Sequence, residues 1–111
     1  MNVLSLFDGI SCGQLALERA NIKVDSYYAS EIDQNCIQLT KRHFPNTIQL
    51  GDVCKIDNNV LKTLPKIDLL IAGSPCQNLS RAGNGMGLKG DESKLFYEYV
   101  RVLKWIKENN N

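Results

Sequence analysis

Apolar runs of strand length alternate with amphipathic runs of helical length along most of this chain, and few folds accept that alternation. Residues 3–7 (Val-Leu-Ser-Leu-Phe) read as a buried strand, followed by a turn at 8–13 and a helix at 14–20. Residues 24–29 read as a second strand, and 33–43 as a second helix capped by Asp33. A short third strand at 47–50 breaks at Gly51-Asp52. A short helix follows at 57–64, and Pro65 ends it. Residues 67–72 (Ile-Asp-Leu-Leu-Ile-Ala) form the clearest buried strand. Residues 73–91 hold five glycines and a proline and read as a long loop. Residues 92–108 read as an amphipathic helix, with Leu95, Phe96, Tyr99, Val102, Leu103 and Ile106 on one broad face. Strand–helix alternation at this spacing predicts right-handed crossovers and a parallel sheet. The expected α/β architecture is Rossmann-like, with strands in the order 3-2-1-4 and a ligand crevice at their carboxyl ends beside the first strand.

With 111 residues the chain is one domain at most, residues 1–108, with a frayed Asn tail at 109–111. No apolar run approaches the ~18 residues of a membrane span. The start, Met-Asn-Val-Leu-Ser-Leu-Phe-Asp, has no basic region before its apolar stretch, so an intracellular chain is expected. Thirteen Lys and Arg against twelve Asp and Glu leave a net charge of +1. A free-standing nucleic-acid binder is usually more basic, so a chain like this that worked on DNA would draw phosphate affinity from elsewhere.

The four cysteines, Cys12, Cys36, Cys54 and Cys76, include no Cys-x-x-Cys pair, and His43 is the single histidine. No metal site is expected from that set. Nor, in an intracellular chain, are disulfides. Cys36 is expected on a helix face as a small buried hydrophobe. Cys12 and Cys54 are expected in turns, and His43 as a cap at a helix end.

Two stretches carry chemistry. The first is Phe7-Asp8-Gly9-Ile10-Ser11-Cys12-Gly13, between a strand and a helix, where Gly9 and Gly13 permit a tight turn and close approach of a ligand. Glu31 ends the second strand about 20 residues on, placed to accept hydrogen bonds from a ribose. Asp52 follows the third strand, within reach of an adenine edge. The alternative is an ordinary strand–helix turn with Glu31 as a surface acid. Three such residues at three successive strand ends favour an adenosine-bearing cofactor, without saying which.

The second stretch is Gly73-Ser74-Pro75-Cys76-Gln77, at the end of the fourth strand. Pro75 restricts the backbone and aims the next residue, and Gly73 allows close approach. Cys76 is thereby a thiol displayed at the top of the sheet, where α/β proteins carry out chemistry. As a nucleophile it must reach its thiolate.

Together these stretches resemble the cytosine-5 DNA methyltransferases. The matching elements are Phe7-Asp8-Gly9-Ile10, Ala29-Ser30-Glu31-Ile32-Asp33, Gly51-Asp52-Val53, Gly73-Ser74-Pro75-Cys76-Gln77-Asn78-Leu79-Ser80 and Leu95-Phe96. Their wording is closest to the de novo-type branch, which has phage and bacterial members. The resemblance implies S-adenosylmethionine as cofactor, held by Phe7, Gly9, Ile10, Glu31, Ile32, Asp52, Val53, Gly73, Pro75 and Leu95. It implies Cys76 as the nucleophile that attacks C6 of a cytosine flipped out of double-stranded DNA. Gln77, Ser80, Arg81 and Lys89 would meet the DNA.

The family's Glu-Asn-Val element, its later arginine motif and its target-recognition region have no counterpart here. The chain therefore reads as the N-terminal catalytic portion, needing a C-terminal portion or a second chain to supply them. The competing reading is a non-catalytic remnant or split-enzyme subunit that binds the cofactor or a partner chain. A dinucleotide-dependent oxidoreductase is disfavoured by Pro-Cys-Gln and the imperfect glycine pattern.

Overall fold

Strand β1 (Asn2–Leu6) is apolar on both faces: Val3, Leu4 and Leu6 are fully buried. Such a strand belongs in the middle of a parallel sheet covered on both sides. In the computed structural model it pairs in parallel with β2 (Ser26–Ser30) on one side and β4 (Leu69–Ala72) on the other. A two-residue β3 (Ile48–Gln49) extends the sheet beyond β2, and the order is β3-β2-β1-β4, as expected from the alternation. The structure describes residues 1–73 and 94–109, with Lys94 and Leu95 described as backbone only.

Helices α1 (Cys12–Arg19), α2 (Gln34–His43) and α3 (Asn58–Thr63) fill the crossovers, and α4 (Lys94–Asn109) comes after β4. Asp33 caps α2, its carboxylate accepting from the Asn35 amide at 2.9 Å and the Cys36 amide at 3.4 Å. Asp57 caps α3 through the Val60 amide at 3.0 Å. Each cap satisfies helix donors that otherwise lack partners, typically contributing ~1 kcal/mol. Asp52 does the same for a 3-10 turn at Val53–Lys55, which periodicity alone does not predict.

The core divides across the sheet because side chains alternate along each strand. Leu4 and Leu6 face Val53, Ile56, Leu61, Ile67, Val102 and Ile106, so α3 and α4 cover that side. Val3, Tyr27, Ala29 and Leu17 of α1 make the opposite cluster.

Boundaries shift by a few residues where pairing rather than pattern decides. The fourth strand starts at Leu69 instead of residue 67, although Ile67 is buried. Asp68 and Asn2 exchange two bonds before the ladder begins: the Asp68 amide donates to the Asn2 carbonyl at 2.8 Å, and the Asn2 amide to the Asp68 carboxylate at 2.7 Å. The first helix starts at Cys12 rather than Gln14, so Gly13 lies inside it.

Candidate functional site

The carboxyl ends of β1, β2 and β4 meet in one place, and the register shows how. Leu6 pairs with Ser30 and with Ala72, so Phe7, Glu31 and Gly73 leave the sheet side by side. Three bonds tie these ends together. The Gly9 amide donates to Glu31 Oε1 at 2.7 Å, the Asp8 amide to the Ser30 carbonyl at 3.1 Å, and the Gly73 amide to the Leu6 carbonyl at 3.1 Å. A fourth, from Ser30 Oγ to the Gly51 carbonyl at 2.7 Å, brings in the turn after β3.

The loop between β1 and α1 has an unusual backbone. Phe7, Gly9 and Ser11 have φ of 55°, 62° and 68°. Glycine adopts this region freely, but for Phe7 and Ser11 it is disfavoured and must be held by surrounding structure. Ser11 is fully buried and its hydroxyl accepts from Gln14 Nε2 at 3.1 Å. The same Gln14 nitrogen donates to Thr47 Oγ1 at 2.8 Å, linking α1 to the segment before β3. Thr40 of α2, also buried, reaches the Gly9 carbonyl at 3.5 Å.

Below the loop, Asp8 Oδ1 accepts from Ser5 Oγ at 2.8 Å and from the Tyr27 hydroxyl at 2.9 Å. Tyr27 is 2% exposed. Its phenol is pushed up to about 12, first by burial; the Ser5 hydroxyl opposes this and the Asp8 carboxylate adds to it. Sequence reasoning missed Ser5 and Tyr27 as partners of the loop, because no motif marks them.

The candidate cofactor residues sort clearly. Gly9 faces open space, with nothing within 4 Å of where a side chain would begin. Ile10 and Ile32 are 50% and 66% exposed, unusual for isoleucine. Phe7 is half-buried against the α3–α4 side of the core. Glu31 is half-buried; its Oε2 accepts from the Ile32 and Asp33 amides at 3.1 and 3.0 Å. An ionised carboxylate has about four acceptor positions, so these bonds and that from Gly9 leave one for a ligand. Asp52 is half-buried and engaged by the Cys54 amide at 2.9 Å. The Val53 side chain belongs to the core, and its carbonyl accepts from Arg101 of α4 at 3.2 Å. A side chain on Gly73 would come within 3.3 Å of the Phe7 carbonyl, so the fourth strand's exit lies directly against the loop.

Two glycine and cysteine expectations change. Gly13 does not serve ligand approach. A side chain there would meet the Tyr27 hydroxyl at 3.1 Å and Ile71 Cδ1 at 3.2 Å, so its role is close packing of helix on sheet. Cys36 is not a core residue: it is only partly buried and belongs to neither apolar cluster. Its helix face points toward the carboxylates at the rim, and its thiol is raised first by desolvation and then by Asp33 and Glu31. Cys54 is exposed and raised likewise, first by desolvation and then by Asp52. Cys12 is exposed at the first position of α1. His43 closes α2 with Lys41 and Arg42, basic residues suited to the helix's negative end.

Pro75, Cys76, Gln77, Ser80, Arg81 and Lys89 lie outside the described residues, as does the side chain of Leu95. Among the described residues no group of three or more His, Cys, Asp and Glu is placed to hold a metal ion. No helix among them is long and apolar enough to cross a membrane.

A family model for the C-5 cytosine-specific DNA methylases matches residues 1–108. The chain belongs to that family. Within it, the chain is similar to the DNA (cytosine-5)-methyltransferase DRM1 of Arabidopsis thaliana, at 38% identity over 96% of this chain and 19% of the relative. It is also similar to the orphan methyltransferase M.SPRI of Bacillus phage SPR, at 37% identity over 94% of this chain and 24% of the relative. The chain thus spans about a fifth to a quarter of the length of these relatives. A TehB-like SAM-dependent methyltransferase from Corynebacterium glutamicum shares the fold, with a TM-score of 0.51 at 14% identity over 95% of this chain and 64% of that one.

Proposed function

We propose that this chain is a catalytic portion of a DNA cytosine-5 methyltransferase, binding S-adenosylmethionine at the β1–β2 rim and supplying the nucleophile Cys76. The observation that carries the reading is the shared exit of β1 and β4, where the Gly73 amide donates to the Leu6 carbonyl at 3.1 Å. Gly73, from which the chain runs on toward Pro75-Cys76-Gln77, leaves the sheet beside the residues that lead to Gly9, which supports a reading in which cofactor and nucleophile share one rim.

The residues present suit the cofactor. Gly9 leaves room for close approach, Ile10 and Ile32 offer uncovered apolar surface, and Glu31 keeps an acceptor for a ribose hydroxyl. Asp52 and the turn it caps lie beyond them, where the adenine would reach. When bound, S-adenosylmethionine supplies an electrophilic methyl group on a sulfonium. The Cys76 thiolate adds to C6 of cytosine, which makes C5 nucleophilic enough to take that methyl. Loss of the C5 proton to a base and departure of the thiolate then restore the aromatic ring and release 5-methylcytosine. Gln77, Ser80, Arg81 and Lys89 are proposed to meet the DNA around the flipped base.

The length of the relatives supports a second element of the proposal. A further portion or partner chain supplies the carboxylate that holds the cytosine edge, together with target recognition. With a net charge of +1 the chain by itself has little attraction for phosphate. Methyl transfer from labelled S-adenosylmethionine to DNA is expected to be absent with the 111-residue chain and to appear when the complementing portion is added. DNA carrying 5-fluorocytosine blocks loss of the C5 proton, so the active assembly should form an adduct that survives a denaturing gel and maps to Cys76. Cys76→Ser should abolish the adduct and leave cofactor binding intact. An adduct on another cysteine would refute the assignment.

A further inference from the structure

The β1–α1 loop combines conformations that side chains rarely adopt with a charged residue turned inward. Asp8 lies between Phe7 and Gly9, both at positive φ, and its own backbone is bonded in both directions: its amide to Ser30 and its carbonyl to the Ser11 amide at 3.1 Å. Its side chain does not reach for solvent. Oδ1 takes the Ser5 and Tyr27 hydroxyls, and Oδ2 is buried with no partner among the described residues. A carboxylate so enclosed stays only if the donors it has are well placed.

We infer that Tyr27 is a positioning residue for the cofactor: its hydroxyl, through Asp8, holds the Gly9 loop in the form that binds S-adenosylmethionine. The inference rests on the reading of that loop as the cofactor site and adds a residue of β2 that touches neither cofactor nor substrate. Three observations support it. Tyr27 pairs with Val3 in the β1–β2 ladder and is 2% exposed, so its ring is fixed by the core and its hydroxyl has little freedom. The hydroxyl is 2.9 Å from Asp8 Oδ1. Helix α1 carries glycine where a side chain would crowd that hydroxyl at 3.1 Å, so the space it occupies is kept clear. Without the hydroxyl, Ser5 is the one side-chain donor left to Asp8 among the described residues. The favourable course is then for its carboxylate to turn toward water, and Gly9, the next residue, moves with it.

The test uses the 111-residue chain and calorimetric binding of S-adenosylhomocysteine. Tyr27→Phe keeps the ring and should still unfold cooperatively, but should bind about tenfold more weakly. Tyr28→Phe, on the opposite face of β2, should bind as the parent does. Asp8→Asn should also weaken binding, and adding Tyr27→Phe to it should cost little more, because both changes break one link. That non-additivity is the readout a merely structural tyrosine would not produce. If Tyr27→Phe does not fold, Ser5→Ala, which removes the other donor to the same oxygen, is expected to weaken binding and likewise to add little to Asp8→Asn. Unchanged affinity in the folded variant, or losses that simply add, would overturn the inference while leaving the cofactor reading standing. A parent chain that binds no S-adenosylhomocysteine would overturn the reading and the inference with it.

Discussion

Glu31 Oε1 accepts a hydrogen bond from the Gly9 amide at 2.7 Å, closing the rim between the ends of β1 and β2. The carboxylate proposed to hold the ribose is therefore also a clasp for the loop proposed to hold the rest of the cofactor. Its other oxygen stabilises the entry to α2 through the Ile32 and Asp33 amides.

Because of that double role, Glu31→Ala is expected to lose stability as well as affinity. Hydrogen bonds to a charged group contribute about 1.5–3 kcal/mol. Glu31→Gln keeps an acceptor for Gly9 and should retain more of the stability than of the ribose binding. Thermal unfolding alongside calorimetry of S-adenosylmethionine separates the two. Unchanged affinity in Glu31→Ala would remove Glu31 from the site.

Gly13→Ala tests the packing of α1. In an exposed helix interior the change stabilises by roughly 0.5–1 kcal/mol. Here the new methyl group meets the Tyr27 hydroxyl and Ile71, so a net loss of about 1–2 kcal/mol is expected. In a Tyr27→Phe background the loss should shrink, because one of the two crowding atoms is gone. Denaturant unfolding of the four proteins in this cycle gives the answer, and an equal cost in both backgrounds would assign the crowding to Ile71.

Tyr27 also sets an alkaline limit. Its phenol is pushed up to about 12 in the folded chain from an ordinary value of 10. Below pH 10 it is neutral whether folded or unfolded, and its contribution is fully present. As pH rises from 10 through 12 the unfolded phenol ionises first, so stability falls across that window. A shift of this size amounts to about 2–3 kcal/mol. Stability measured against pH should fall less steeply there in Tyr27→Phe.

The partly exposed Cys36 should tolerate Cys36→Ser within about 0.5 kcal/mol, as surface substitutions usually do. Its thiol and that of Cys54 are both raised, so each should alkylate more slowly than a free cysteine at neutral pH. Peptide mapping after brief alkylation measures the rates. Fast labelling of Cys36 would mean that neither desolvation nor the neighbouring carboxylates govern it.

The alternation of short apolar runs with amphipathic ones was enough to indicate four parallel strands joined by right-handed crossovers, and the order 3-2-1-4 is one of the common doubly wound orders that such crossovers allow. Asp33 and Asp57 were legible as caps or helix starts because a cap acts within three residues. Glu31 was legible as a rim residue because it directly follows a strand, and Gly9 because it lies in the short turn between a strand and a helix. The relationships that join the rim were not legible. Tyr27 with Asp8, Ser30 with Gly51, and Gly73 with Phe7 are pairs from different strands or the turns after them, brought together by the register that aligns Leu6 with Ser30 and Ala72. Local pattern places Tyr27 in a strand and Gly13 after a strand's end, but does not say which atom lies opposite either. Nor could it distinguish a core face from a rim face for Cys36, since helical spacing fixes the angle between side chains and not the direction in which the helix is laid on the sheet. Those facts depend on strand register and helix docking, and only the tertiary structure decides them.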